Sequence, residues 1–546
     1  MCIDLTLPLS IRTHLLSFVV TAFQSLDSTL VRKECALLVS IAIWNHLSSE
    51  EVRNMQLDKY SQARKTWRAA GKRFEAGDDT LKTRLRFERS WLYQMVLDFL
   101  ALLYKPPNQH DDPKDVSMYC ERFVELLTDL ESQLPTRRYV TFLLKDLHVL
   151  TAIKLSPLYA NSEDGLLRDL HSLLEHFVHF SIDDITGLQL SREEVRQLHN
   201  AQLARLQRIA FKDFKEKLLI LALANFGNLG QRDELAGHLA DLSDEELIEL
   251  CKKLGLRTSY PKSVGFLVDR GFLTEAIICV HERRQTFQEQ TKSMAVLPNE
   301  NTLFDEPFMR DSNYDGSRPL AIPKLNLQYL TVGDFLWRSF LLYRHEAFYG
   351  IRQNIEESLK KLAPKITYPS METSFHGFSK MALTITRPSY VSLSFFGTSS
   401  EMLTIGRILE VLPPKVGEEK PAAVRAEVSL DLSRLSPEVR KEWESLRPDD
   451  VVFLLGVKGT DETDKMITNG GSEKFSLVEK YGIRCLRAAE VVSVLDAQGR
   501  HLGTGDGRAK NSGGQCRLHL KLDTDMYQVG CILSFMRSKA DMRLLG

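Results

Sequence analysis

Residues 331–365, TVGDFLWRSFLLYRHEAFYGIRQNIEESLKKLAPK, contain the longest helical pattern in a chain of 546 residues. Apolar side chains recur there at steps of three or four, which is the period of an α-helix, and Pro364 ends the pattern. Thr331 and Asp334 resemble a capping box with Asp in place of Glu. The stripe that we expect to be packed comprises Leu336, Phe340, Tyr343, Ala347, Ile351, Ile355, Leu359 and Leu362.

Before this helix, helical periodicity recurs from residue 10 onwards, for example in IRTHLLSFVVTAF (11–23) and GLLRDLHSLLEHFVHF (165–180). Helix pairs follow one another without a strict sequence repeat, which is typical of an irregular armadillo/HEAT-like α-solenoid. A globular helical bundle is the alternative. The solenoid is favoured because so long a run of helices exceeds what one core usually serves.

Beyond Pro369 the pattern changes to short alternating or β-branched runs separated by Gly- and Pro-rich turns. In AVRAEVSLDL (423–432) apolar side chains alternate with Arg425, Glu427, Ser429 and Asp431, as in a strand with one buried face. A small all-β barrel or sandwich is therefore predicted. The runs read as strands are MALTITR (381–387), GRILEVL (406–412), AVRAEVSLDL, VVFLLGV (451–457), GIRCLRAAEVVSVL (482–495) and CRLHLKL (516–522).

These patterns predict a mainly α protein that carries a long stalk helix and ends in a β-barrel. The segment SYVSLSFFGTSSEMLT (389–404) is expected to be an inserted, poorly packed loop, because Gly397, Ser399 and Ser400 would interrupt a strand. The predicted division is a solenoid at 1–296, a linker at 297–324, a helical stalk at 325–370, a β-barrel at 371–525 and the start of a further domain at 526–546.

Composition limits the class of protein. Lys and Arg (71) nearly balance Asp and Glu (72), which argues against a globally basic nucleic-acid binder but leaves room for a local basic patch. The eight cysteines form no CxxC pair, as is usual for a reducing compartment. The N-terminus lacks the features of a signal peptide, and no apolar run reaches the length of a membrane span, so a soluble intracellular protein is expected.

The strongest basic segment is KYSQARKTWRAAGKRF (59–74), which has six positive residues and no acid. On a helix, Arg64, Lys65, Arg68 and Lys72 share one face, which is the candidate contact for RNA phosphates or an acidic partner. A merely solvated face is the alternative. The other stripe is expected to pack in the core rather than stack on bases, and it comprises Tyr60, Ala63, Trp67, Ala70 and Phe74.

No catalytic or metal site is predicted. His176 and His179 lie three residues apart, close to His171, but no third metal ligand is evident. The chain has no GxSxG motif and no GxxxxGK[ST] phosphate-binding loop. LSDEELIEL (242–250) is read as the capped start of an amphipathic helix instead of a magnesium-binding motif.

Several segments, kept in order along most of the chain, jointly resemble the Aquarius family of intron-binding RNA helicases of the spliceosome. They are YCERFVELLTDLESQLPTRRY (119–139), HERR (281–284), PKLNLQYLTVGDFLWRSF (323–340), IRQNIEESL (351–359), VRAEVSLDL (424–432), KEWESLRPDDVVFLL (441–455) and VLDAQGR (494–500). The resemblance implies an armadillo-type helical region, a stalk and a β-barrel that precede a two-lobed helicase core. It also implies nuclear location, RNA splicing, and an intron-binding complex whose members include a TPR-type scaffold and a cyclophilin.

The chain departs from that pattern in three ways. It stops where the helicase core of the family should begin, it begins after helices that the family has upstream, and residues 389–404 look like extra sequence. ATP and magnesium belong to that core, so no cofactor is expected here. The leading hypothesis is a non-catalytic splicing scaffold with contacts to proteins and weak contacts to RNA. The alternatives are a piece of a full ATP-dependent RNA helicase and an unrelated armadillo-type adaptor. The strongly apolar first helix and the C-terminal ILSFMRSKADMRLLG (532–546) also predict self-association of the isolated chain.

Overall fold

The computed structural model describes residues 7–299 and 329–524 with internal gaps. The positions outside the description within these ranges are 60, 105–112, 162–164, 185, 267, 296, 363, 368–371, 377–381, 387–389, 395–399, 403–404, 417–419, 434–436, 438–439, 441–442, 444, 458–482 and 502–513. Only residues 297–299 of the predicted linker 297–324 are described. The predicted further domain, 526–546, lies outside the described residues.

Helices account for the described chain up to residue 293, with short 3₁₀ helices at Ile41–His46 and Lys262–Val264. They are α1 (Leu9–Phe23), α2 (Thr29–Leu38), α3 (Glu50–Lys59), α4 (Ser61–Ala76), α5 (Asp79–Tyr104), α6 (Pro113–Ser132), α7 (Leu134–Asp146), α8 (Val149–Lys154), α9 (Pro157–Asn161), α10 (Leu166–Val178), α11 (Arg192–Asp213), α12 (Lys215–Leu223), α13 (Phe226–Leu229), α14 (Arg232–Ala240), α15 (Asp244–Leu254), α16 (Arg270–His281) and α17 (Phe287–Ser293).

The apolar faces of these helices form two successive cores. One cluster is built mainly from α1, α5, α6, α7, α8 and α10, and the next from α11 to α16. Helix α16 contributes to both clusters, with Phe272 in the first and Leu273 and Ile277 in the second. Cores that follow one another along the chain are the arrangement of a solenoid, so the predicted α-solenoid is confirmed. The capped start of α15 is confirmed as well, because Ser243 and Glu246 form a complete capping box.

A buried arginine joins three helices of the first cluster. Arg137 of α7 donates from Nε to Asp184 Oδ1 at 2.8 Å and from Nη1 to Glu131 Oε2 at 3.2 Å. It also donates to the carbonyl oxygens of Phe177 and Phe180, at and just beyond the end of α10. Glu131 is fully buried and accepts a further hydrogen bond from Thr141 Oγ1 at 2.7 Å. The guanidinium therefore pairs with one oxygen of a buried carboxylate and donates to carbonyl oxygens near a helix end.

Helix α1 is apolar on two faces. Leu16, Val20 and Phe23 are buried in the first cluster, whereas Ile11 is 47% exposed and Phe18 is 73% exposed. The outward face carries His14 and Thr21 and no charged side chain. Self-association of the isolated chain stays a prediction, and this exposed surface is where we expect it.

The long helix of residues 331–365 is present as α18 (Val332–Leu362) and ends before Pro364, as predicted. The predicted packed stripe is wrong for its first half, where Leu336 is 60% exposed and Tyr343 is 77% exposed. The buried side chains there are Trp337 and Phe348, which lie outside the predicted stripe, whereas Ile355 of the stripe is buried as predicted. The helix has two apolar stripes about one position apart, and periodicity cannot tell which one is covered.

The start of α18 is held by its capping acid. Asp334 N donates to Thr331 Oγ1 at 3.1 Å, as the predicted capping box requires. The carboxylate accepts from the Leu330 N–H at 3.1 Å and lies 2.9 Å from His176 Nε2 of α10. Asp334 is fully buried, so this single side chain both caps α18 and attaches its first turn to α10.

Strands follow α18. A three-stranded antiparallel sheet has the order β1-β2-β3, and a larger sheet has the order β5-β4-β8-β9-β10-β7-β6, with every neighbouring pair antiparallel. The strands are β1 (Pro364–Thr367), β2 (Glu372–His376), β3 (Ala382–Thr386), β4 (Tyr390–Ser394), β5 (Ser400–Met402), β6 (Ile405–Pro414), β7 (Pro421–Asp431), β8 (Val451–Val457), β9 (Ile483–Asp496) and β10 (Gln515–Leu522).

The predicted alternation in β7 is confirmed. Val424, Ala426, Val428, Leu430 and Leu432 are all buried in one cluster with residues of β9 and β10. On the other face Arg425 pairs with Glu410 at 3.2 Å and Arg407 pairs with Glu427 at 3.3 Å. All six runs that were read as strands from the sequence form strands, so the predicted small β domain is confirmed.

The expectation of a poorly packed loop at 389–404 is wrong for the residues described there. β4 pairs with β8 along Tyr390–Ser394, and β5 pairs with β4. The physical reason is the alternation of Val391 and Leu393 with Tyr390, Ser392 and Ser394, which is itself a strand pattern. Whether the segment is an insertion relative to the family remains a prediction.

The chain divides into two compact units. The first comprises Met1–Phe287 and Asp315–Arg338, and the second comprises Gln288–Tyr314 and Ser339–Gly546. In the second unit, Phe348 and Ile355 of α18 pack with Phe453 of β8 and Leu486 of β9. No helix among the described residues combines the length and the apolar character that crossing a membrane requires.

Candidate nucleic-acid interface

Helix α4 carries the predicted basic segment, and one of its stripes packs as expected. Ala63 and Trp67 contact the first hydrophobic cluster, and Phe74 is half-buried. The Arg53 guanidinium lies 5.3 Å from the Trp67 ring centroid, and that of Arg89 lies 4.5 Å from the Phe74 centroid. Tyr60 lies outside the described residues. The rings are therefore engaged by arginines of neighbouring helices, although α4 buries no side chain completely.

The structure places the four candidate cations on the outward side of α4. Lys65, Arg68 and Lys72 are exposed, and none of them forms an ion pair with a described residue. Arg64 is half-buried and pairs with Asp58 of α3, so its charge is largely neutralised. The basic segment 59–74 does not predict this pair, because Asp58 lies just before it. Three of the four predicted cations thus remain available to a polyanion.

The basic surface extends beyond α4. Residues 59–89 contain ten Lys and Arg residues and four Asp and Glu residues, a net charge of +6 in a chain whose formal net charge is −1. Lys65 and Lys72 are seven residues apart, which spans about 10 Å along a helix axis. Glu75 follows Arg68 by seven residues on the same face and limits the patch at its C-terminal end. The arrangement suits a few backbone phosphates of a single strand rather than a long duplex.

The three histidines considered from the sequence have separate structural roles. His171 Nε2 lies 3.1 Å from the Leu150 carbonyl oxygen, and His176 holds Asp334. His179 lies beside Arg284, and burial, with nearby Lys145 and Arg284, holds its pKa well below the usual value. Within the described residues, no group of three or more His, Cys, Asp and Glu side chains is arranged to hold a metal ion.

Comparison with known proteins gives matches to both units. The family model described as intron-binding protein aquarius N-terminal matches residues 1–285. A second model, described as intron-binding protein aquarius, beta-barrel, matches residues 391–533. The second match, whose description names a β-barrel, falls on the part of the chain that forms strands.

Two curated proteins are similar over long stretches. RNA helicase aquarius of Mus musculus is 33% identical over 520 residues, which cover 95% of this chain and 33% of that protein. Pre-mRNA-splicing factor cwf11 of Schizosaccharomyces pombe is 24% identical over 317 residues, covering 55% of this chain and 22% of that protein. The chain thus spans about a third or less of the length of these relatives.

A helical solenoid followed by an antiparallel β domain, with a basic helix on the solenoid, defines a multidomain protein of the helical-repeat class. The two family matches, in this order and over these residues, identify one family within that class. The chain belongs to the family of the intron-binding protein aquarius.

Proposed function

We propose that this chain is a non-catalytic scaffold in pre-mRNA splicing, located in the nucleus, that holds spliceosomal proteins and contacts intron RNA weakly through α4. The proposal is supported by membership of the aquarius family and by a similar protein named as a pre-mRNA-splicing factor. A solenoid suits this role because its stacked helices offer extended surfaces to several partners. The proposed partners include a TPR-type scaffold and a cyclophilin.

The scaffold role is tested by recovery of the chain with an assembling splicing substrate. Tagged chain added to nuclear extract should co-purify with a pre-mRNA that contains an intron. An RNA of matched length without the intron is the control. Equal recovery on both RNAs would contradict a role tied to introns.

The proposed contact with RNA rests on one observation. Lys65, Arg68 and Lys72 lie exposed on one face of α4, without an acidic partner among the described residues. Each phosphate contacted releases counterions, so the affinity for single-stranded RNA should fall with salt. With about three contacts, the slope of log affinity against log salt should be about −2.

The test is charge reversal on this face. Changing Arg64, Lys65, Arg68 and Lys72 together to Glu should abolish most of the salt-dependent binding measured by fluorescence anisotropy. The matched control reverses four exposed cations elsewhere on the first unit, namely Arg32, Lys33, Lys252 and Lys262. If both variants lose the same affinity, only overall charge matters and the α4 face is an ordinary solvated surface.

A second candidate function is that of an ATP-dependent RNA helicase, favoured by the name of the mouse relative. The sequence contains no GxxxxGK[ST] loop whose backbone N–H groups would cradle phosphates. We therefore expect rigorously purified chain to hydrolyse no ATP above background, with or without RNA. Hydrolysis that a substitution in this chain abolishes would overturn the non-catalytic proposal.

A further inference from the structure

A cavity of about 460 Å³ lies beneath α4. Its walls are formed by α4, the 3₁₀ helix Ile41–His46, the end of α2 and the middle of α5. The cavity explains why Trp67 and Phe74 stay only half-buried although they lie on the packed stripe of α4. Its volume is in the range of pockets that bind small molecules.

The cavity combines aromatic walls with several polar side chains, of which Glu88 and Arg89 come from α5. Glu88 is only 8% exposed, and its Oε1 accepts from Arg84 Nε at 2.8 Å. Arg89 lines the same cavity with its guanidinium over the Phe74 ring. Trp67 and Phe74 provide apolar surface for a flat ring, while Arg73 stands at an exposed position of the lining.

Exposed lining residues of the cavity stand next to residues of the basic face along α4. Gly71 lines the cavity and Lys72 follows it on the outward side of the same helix. A Cβ atom built on Gly71 would meet no heavy atom within 4 Å, so the space beside this turn is open. A strand whose phosphates lie along Arg68 and Lys72 would therefore pass these lining residues.

We propose that this cavity binds a single unstacked guanine base of an RNA strand that lies on the basic face of α4. This inference rests on the RNA contact of the proposed function and adds a base-specific site to it. Single-stranded RNA is recognised through splayed bases that stack on aromatic or Arg planes and hydrogen-bond through their edges.

Guanine is the base whose edges match the pair of Glu88 and Arg89. Its N1–H and N2–H₂ donate, which suits the Glu88 carboxylate, while its O6 and N7 accept, which suits the Arg89 guanidinium. Uracil has neither this paired donor edge nor the N7 acceptor, and adenine has an acceptor at N1 facing the carboxylate. An acidic peptide would satisfy the cations but not Glu88, so RNA is the better match.

The probes are fluorescein-labelled heptamers that differ only in the central base: UUUGUUU, UUUAUUU and UUUUUUU. Anisotropy of the full chain at fixed low salt should give about tenfold tighter binding of the guanosine probe. Glu88→Gln, which replaces an acceptor oxygen with donors, should remove this preference, so that the guanosine and uridine probes bind equally. Thermal melting followed by circular dichroism checks that each variant is folded.

Filling the cavity provides a test that leaves Glu88 intact. Ala69 is exposed and lines the cavity, so Ala69→Trp should block the base and reduce guanosine binding to the uridine level. Ala76 is exposed on nearly the same side of α4, seven residues further on, and is not among the lining residues. Ala76→Trp is therefore the matched control and should leave the preference unchanged.

The outcomes separate the two proposals. Equal binding of all three probes, still weakened by charge reversal on α4, overturns the guanine site and keeps the RNA contact. No salt-dependent binding of any probe overturns both. Displacement of the uridine and guanosine probes alike by a hexaglutamate peptide, sensitive to Ala69→Trp, would assign the cavity to a protein partner and also overturn the inference.

Discussion

Replacing Arg137 with methionine should strongly destabilise the first unit. The substitution leaves the fully buried Glu131 without its cation. The carbonyl oxygens of Phe177 and Phe180 lose one donor each but keep the backbone N–H groups of Phe180 and Ile182. Breaking a buried ion pair by removing one partner costs about 3–5 kcal/mol. We therefore expect a loss of about 3–5 kcal/mol, a large part of the stability of an ordinary domain.

The assay is urea unfolding of the full chain followed by circular dichroism at pH 8. Burial raises the pKa of Glu131 to about 7, so at pH 5 the unpaired carboxyl takes up a proton and the loss should be smaller. A double variant that also carries Glu131→Leu should regain about 1 kcal/mol or more relative to the single variant, because no charge is then left buried.

Arg138 offers a matched control on the same helix. It is half-buried and donates to Leu134 of its own turn at 3.3 Å, so Arg138→Met should cost about 0.5 kcal/mol. If Arg137→Met and Arg138→Met lose the same stability at pH 8, the buried junction does not stabilise the solenoid and the reasoning fails.

Three further predictions concern other parts of the first unit. Burial raises the pKa of Asp129 from 3.8 to about 7, so its stabilising contribution is complete below pH 3.8 and declines as the pH rises to 7. Asp129→Asn should therefore melt higher than wild type at pH 8 but not at pH 4; an advantage that does not change with pH would contradict this. Asp334→Ala should cost about 2–3 kcal/mol of local stability and speed hydrogen exchange in the first turns of α18, because His176 and the Leu330 N–H lose a charged acceptor. Unchanged exchange there would show that packing alone holds the turn. Phe18→Lys should reduce concentration-dependent light scattering of the chain, since it breaks the exposed face of α1, whereas persistent scattering would place self-association elsewhere.

The sequence predicted elements well where one local signal dominated. β8 was read as 451–457 and is Val451–Val457, because a short β-branched run bounded by turn residues has few alternative structures. The start of α15 followed from Ser243 and Glu246 alone. β4 was missed because Gly397, Ser399 and Ser400 suggested a break, although the alternation that forms the strand precedes them. Local composition near a turn is a poor guide to the residues just before it.

Features that depend on distant partners could not be predicted. In α18 both stripes are apolar, and only contacts such as that of Trp337 with Phe287 decide which one is covered. On α4 the shared face of Lys65, Arg68 and Lys72 followed from helical geometry. The cavity beneath α4 could not be predicted in this way. It is a space left between α4, the 3₁₀ helix Ile41–His46 and α5, which are distant or separate elements in the sequence. Sequence periodicity indicates which side of a helix is packed, but not how completely.

The sharing of α16 between two cores has a mechanical consequence. Phe272 belongs to one cluster and Ile277 to the next, so tearing out either end of this helix exposes apolar surface in both. In arrays whose repeats touch only their neighbours, extension under force can proceed one repeat at a time. Here a pull on the solenoid that dislodges α16 removes support from both sides at once. The force-extension trace should therefore show one large unfolding event that includes α1 and α5 to α16, with small steps confined to the helices outside both cores.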